Sequence, residues 1–109
     1  MISTEDEISI DLKDHGGPVY AGRTKGEKVR EKYKLDNADV TNVKVKITIP
    51  ENTYTINSSF FLGLLGESIR KAESKDAFLN KFCFVGPEIF NSKINDYISR
   101  ALHEKKPLL

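Results

Sequence analysis

Apolar and polar residues alternate with period two over Ile8-Ser9-Ile10-Asp11-Leu12, the signature of a strand with one face turned to a core. Asp14-His15-Gly16-Gly17-Pro18 supplies turn chemistry, and Val19-Tyr20-Ala21 reads as a short second strand. His15, set in that turn, is expected to face solvent. Val43-Lys44-Val45-Lys46-Ile47-Thr48-Ile49 is the most regular stretch: each odd position is β-branched and apolar, each even position polar. One face of this strand belongs against a core and the other stays open, and Pro50 stops it. Phe82-Cys83-Phe84-Val85, closed by Gly86-Pro87, reads instead as a strand buried throughout, which makes Cys83 an inert, buried thiol.

Helical periodicity fills the intervals. Thr24-Lys25-Gly26-Glu27 has the form of a capping box opening a helix over 25–34, with Val29 and Tyr33 on one face; Asp36-Asn37-Ala38-Asp39 ends it. Asn57-Ser58-Ser59 precedes a second helix over 60–72, capped by Asn57 or by one of the serines. Around this helix Phe60, Phe61, Leu62, Leu64, Leu65 and Ile69 sweep a wide apolar arc. Ser59, Gly63, Gly66, Glu67 and Arg70 fall on the opposite side. Each glycine inside a helix costs about 1 kcal/mol against alanine. Close approach of another backbone, from a partner or from this chain, is what would compensate. Residues 76–81 form a short helical turn with Phe78 and Leu79 inward, and Ile94, Tyr97, Ile98, Ala101 and Leu102 mark an amphipathic helix over 91–105.

Strands alternating with helices predict an α/β fold: a small two-layer domain with a mixed, mainly parallel sheet and helices packed chiefly on one face. The 109 residues fit a single domain with its core over about residues 8–103, and flexible ends at 1–7 and 104–109.

Composition narrows the function. The mean hydropathy is −0.42, no apolar run approaches the ~20 residues of a membrane span, and the acidic first seven residues lack the apolar stretch of a secretory leader. A cytoplasmic protein without membrane contact is expected. Seventeen Lys and Arg against sixteen Asp and Glu leave a net charge of +1, which argues against a dedicated nucleic-acid binder. The charge is uneven, however: residues 20–50 hold eight basic side chains against four acidic ones. Arg23, Lys25, Lys28 and Arg30 crowd one helix as a candidate basic patch for an acidic protein or for nucleic acid. No aromatic residues interleave with them for base stacking.

Catalytic signals are missing from the sequence. Gly22-Arg23-Thr24-Lys25-Gly26 lacks the ending of a phosphate-binding loop, and no serine sits in a Gly-x-Ser-x-Gly elbow. Two isolated histidines and one cysteine give no metal-ligand spacing. The expectation is a protein without enzymatic activity, cofactor or metal.

The segment Thr55-Ile56-Asn57-Ser58-Ser59-Phe60-Phe61-Leu62-Gly63-Leu64-Leu65-Gly66 leads from a strand through two serines into an apolar helix. It resembles the STAS domains of bacterial anti-sigma-factor antagonists, where a strand ends in Asp-Ser-Ser-Gly and the next helix forms the regulatory surface. In those proteins a partner kinase of the GHKL ATPase class phosphorylates the first serine. Asn57 stands here in place of the aspartate and Phe60 in place of the glycine. The chain is similar above all to the STAS-like family of unknown function. There a Gly-Arg-rich stretch opens a helix, an alternating strand follows, and Ser-Ser-Phe opens a second helix. Gly22–Arg30, Val43–Ile49 and Ser58-Ser59-Phe60 fit that order, covering about residues 16–103.

The resemblance implies a regulatory protein-interaction module, with Ser58 and Ser59 as phosphoacceptors for a partner GHKL-type ATPase or kinase. The partner-binding surface it suggests is the start and polar side of the second helix: Asn57, Ser59, Gly63, Gly66, Glu67 and Arg70. The competing reading of the serines is that they only cap a core helix. The expected assembly is a monomer or weak homodimer. The alternative function is a small basic-faced accessory protein that binds nucleic acid or an acidic protein.

Overall fold

The computed structural model describes residues 7–104; the rest of the expected flexible ends, 1–6 and 105–109, lies outside the described residues. Glu7 and Glu104, expected in those ends, belong to regular elements. The chain runs β1 (Glu7–Asp11), a 3-10 turn (Leu12–His15), β2 (Val19–Tyr20), α1 (Arg23–Lys32), α2 (Leu35–Ala38), β3 (Lys44–Thr48), β4 (Thr55–Ile56), α3 (Ser58–Ala72), α4 (Lys75–Lys81), β5 (Phe82–Val85), a 3-10 turn (Glu88–Phe90) and α5 (Asn91–Glu104). All strand pairs are parallel, in two sheets: a three-stranded sheet β1-β3-β5 and a two-stranded pair β2-β4.

Register explains the layering. Ile10 pairs with Ile47 and Ile47 with Phe84, and the next row down is Ile8, Val45 and Phe82. These rows face the helices and form the core with Phe60, Leu64, Leu65, Ile69 and Ile98, all 2% exposed or less. Burying each such side chain contributes roughly 1.5–3 kcal/mol. Aromatic contacts weld the layers: Phe78 stacks on Phe82 with ring centroids 4.6 Å apart, and Phe61 lies between Phe84 and Tyr97. The Tyr97 hydroxyl donates to the Ile56 carbonyl at 2.7 Å, so its polar end is satisfied inside the core.

The other face of the three-stranded sheet is open. Ser9, Lys46 and Cys83 share one row there, and Lys44 and Val85 are likewise exposed. The expected orientation of Val45 and Ile47 inward and Lys44 and Lys46 outward is therefore observed, and the fold is the expected small two-layer α/β domain. The buried Cys83 is not: it is exposed. Phe82-Cys83-Phe84-Val85 is apolar at every position, yet it lies in a sheet covered on one side only, so Cys83 and Val85 project into solvent.

Two local readings also change. A second short helix, α2, follows α1, with Lys34 between them in the left-handed region at φ 53°. His15 is half-buried and its Nε2 shares a hydrogen bond of 2.7 Å with the Tyr33 hydroxyl. His103 is exposed in the last turn of α5, its Nδ1 2.8 Å from the Ser99 carbonyl. No helix among the described residues is long and apolar enough to cross a membrane.

Candidate functional site: the groove between α1 and α3

Two short βα units set the site. β2 leads into α1 and β4 into α3, and because Val19 pairs with Thr55 and Tyr20 with Ile56 in parallel, the two helices start side by side. Gly22 is the N-cap of α1 at φ 98°, a conformation that favours glycine. Its N–H donates to Ser59 Oγ at 3.3 Å, linking the two helix starts.

Neither start is capped by a side chain. The expected capping box does not form, because α1 begins at Arg23 and Thr24 is already inside the helix. Asn57 occupies the N-cap position of α3 without a side-chain bond, and Ser58 and Ser59 are its first two residues. The N-cap residues of both helices thus leave the first-turn amides without a side-chain cap, and the positive dipole ends lie together.

Glycines let the helices touch. A Cβ at Gly26 would collide with the Phe60 carbonyl and one at Gly63 with the Arg23 carbonyl, so backbone packs on backbone at both ends of the crossing. The expectation that Gly63 and Gly66 lie on an exposed rim is thereby corrected. Both are buried: Gly63 beneath α1 of the same chain, and Gly66 beneath the guanidinium of Arg70. The own-chain alternative holds for Gly63.

Along the α1/α3 pair lies an open groove of about 780 Å³. It gathers Arg23, Lys28 and Arg30 of the predicted basic patch with Gly63, Glu67 and Arg70 of the predicted docking face. Glu27, Glu31, Asp36 and Lys71 complete the charges. Lys25 is exposed on α1, and Asn57 and half-buried Ser58 and Ser59 lie at the helix starts, outside the groove lining. Arg70 pairs with Glu67 at 3.3 Å, leaving Arg23, Lys25, Lys28, Glu27 and Glu31 exposed.

Arg30 is not a patch residue. It is 7% exposed, and all its nitrogens are engaged. Nη1 donates to the Leu64 carbonyl at 3.0 Å and to Ser68 Oγ at 2.9 Å; Nη2 meets Asp36 at 2.7 Å and Asp39 at 2.6 Å; Nε donates to Asp36 at 3.0 Å. Ser68 in turn donates to Asp39 at 2.7 Å. The Arg30 guanidinium holds the Asp36 carboxyl below the usual carboxylate range, by its hydrogen bond first and its charge second. This network pins α1, α2 and α3 at the groove's floor. Sequence reasoning placed Arg30 in a candidate basic patch and Asp36 and Asp39 in a helix-ending turn. The one available signal was two acids at i and i+3 just past a basic helix.

The groove is thus polar, rigid at its base and lined by exposed charges of both signs. No cluster of metal-ligating side chains occurs among the described residues. Compared with known protein families, with curated proteins and with solved structures, the chain matches none.

Proposed function

We propose that this is a non-enzymatic, cytoplasmic regulatory module of STAS-like type that docks another protein in the α1/α3 groove, with the start of α3 as its control point. One observation carries the reading: residues 23–31 and 62–71, from two separate βα units, converge on a single polar groove with exposed charges of both signs. Small-molecule sites are lined mostly by apolar side chains. Interleaved Arg23, Lys28, Glu27, Glu31 and Glu67 instead suit a protein surface whose charges match in register.

The resemblance to anti-sigma-factor antagonists supplies the switch. Ser58 is half-buried in the first turn of α3, and its hydroxyl makes no hydrogen bond among the described residues. A phosphate there adds about −1.5 to −2 charges at the joint positive end of α1 and α3. Docking would change without any change of fold. A GHKL-type ATPase or kinase is the partner this reading favours.

The test starts from such a kinase, purified, with ATP and the intact protein. Phosphate incorporation lost in Ser58→Ala is expected. Binding of the kinase should weaken by tenfold or more, about 1.4 kcal/mol, when Lys28→Glu and Arg70→Glu are combined. Binding unchanged by that pair at an unchanged melting temperature would remove the groove from the account.

A further inference from the structure

We propose that the free edge of β5 pairs, antiparallel, with the β5 edge of a second copy of this chain. β5 has β3 on one side and, among the described residues, no strand on the other. The Val85 carbonyl accepts the Ile49 N–H at 2.7 Å, so strand alternation turns the N–H and C=O of Phe84 away from β3. Among the described residues neither group has a backbone partner. A groove of about 360 Å³ runs alongside, walled by Phe82, Phe84, Leu79 and the α5 residues Asn91, Ile94 and Asn95. Not one of these side chains is charged.

Charge selects the occupant. Natural edge strands block pairing with charges or proline; residues 82–85 carry neither. β1, the other edge of the sheet, carries Glu7 and Asp11 on either side of Ser9. Two β1 edges paired antiparallel about Ser9 would set like charges opposite each other, which is destabilising. Pairing β1 of one copy with β5 of the next is head-to-tail and leaves a free edge at each end of the pair. The β5 edge alone meets itself without repulsion. A two-fold axis at Phe84 makes it a hydrogen-bonded pair with its copy, satisfying both N–H and both C=O groups. Cys83 then lies opposite Val85 of the second chain. Val85, 43% exposed, is covered at that contact, and two three-stranded sheets become one. This surface shares no residue with the α1/α3 groove, so it stands or falls independently of the docking reading.

Sedimentation equilibrium on the intact protein tests it. The wild type is expected at twice the 12.3 kDa chain mass, dissociating on dilution. Combining Cys83→Lys with Val85→Lys sets like charges across the axis and should halve the mass. Combining Cys83→Lys with Val85→Glu sets opposite charges there and should restore the dimer. Both positions are exposed, so circular dichroism at dilutions where every variant is monomeric should report the same melting temperature. A wild type that stays at single-chain mass into the millimolar range overturns the proposal. So does a dimer that survives the double-lysine variant, or one that the lysine–glutamate combination fails to restore.

Discussion

Alanine is predicted to act in opposite directions at Gly26 and Gly66. At Gly26 the new methyl meets the Phe60 carbonyl and the Leu64 amide of α3, which cannot retreat without separating the helices; a loss of about 1–3 kcal/mol is expected in denaturant melts. At Gly66 it meets only the Arg70 guanidinium at 3.3–3.4 Å, the far end of a flexible side chain. Gly66→Ala should therefore be neutral or stabilising by up to about 1 kcal/mol, its helix propensity gain. The sequence showed that such glycines need a close neighbour but not which one, because the partner backbone at Gly26 and Gly63 arrives from 34 or more residues away. Arg30 teaches the same lesson. Arg30→Met leaves Asp39, whose side chain is 3% exposed, without its main counter-ion, and a cost of about 3–5 kcal/mol is predicted. Asp36 gives that network a pH signature. Its folded pKa lies below its unfolded value of about 4, so its contribution is present above that pH and fades as pH falls through the folded value. In Asp36→Asn the acid side of the stability profile should be shallower. An unchanged profile would show that the Arg30 contact does not outlast solvent exchange.

Helix ends differ in what holds them, and the difference separates structural serines from the proposed control serine. Ser74 is the N-cap of α4, its Oγ accepting the Ala77 N–H at 3.1 Å; Ser74→Ala should cost about 1 kcal/mol. Ser58 lies inside α3 and is not its N-cap, so Ser58→Ala should leave the thermal melt within experimental error. A matching loss at Ser58 would restore the capping role that the sequence offers as its alternative. At the other end of α3, Glu73 closes the helix at φ 70°, where an L-residue is disfavoured. Glu73→Gly is predicted to stabilise the protein by about 1 kcal/mol. The elements with clear periodicity, β3 and α3 and α5, were legible because their burial repeats within a few residues. α2 was not, because a four-residue element carries no period and is held by the Arg30 network. Cys83 shows the limit from the other side: an all-apolar strand does not say how many faces of its sheet are covered.

The domain as a whole presents three surfaces of different character: the charged α1/α3 groove, the open sheet face with Lys44, Lys46 and Cys83, and the β5 edge. The sequence separated a basic helix from a serine-led helix and assigned them to competing functions. The parallel β2-β4 pair brings them into one groove, which is why the proposed docking surface uses residues from both. Net charge near zero and a groove of mixed sign predict binding that weakens with ionic strength by a modest factor, not the steep loss of a phosphate-backbone binder. The most direct measurement is amide-resolved NMR of the labelled protein titrated with its purified partner. Shift changes concentrated on residues 23–31 and 58–71, and reduced when Ser58 is phosphorylated, are the predicted result. Changes centred instead on Ser9, Lys44, Lys46 and Cys83, with the helix residues silent, would contradict it.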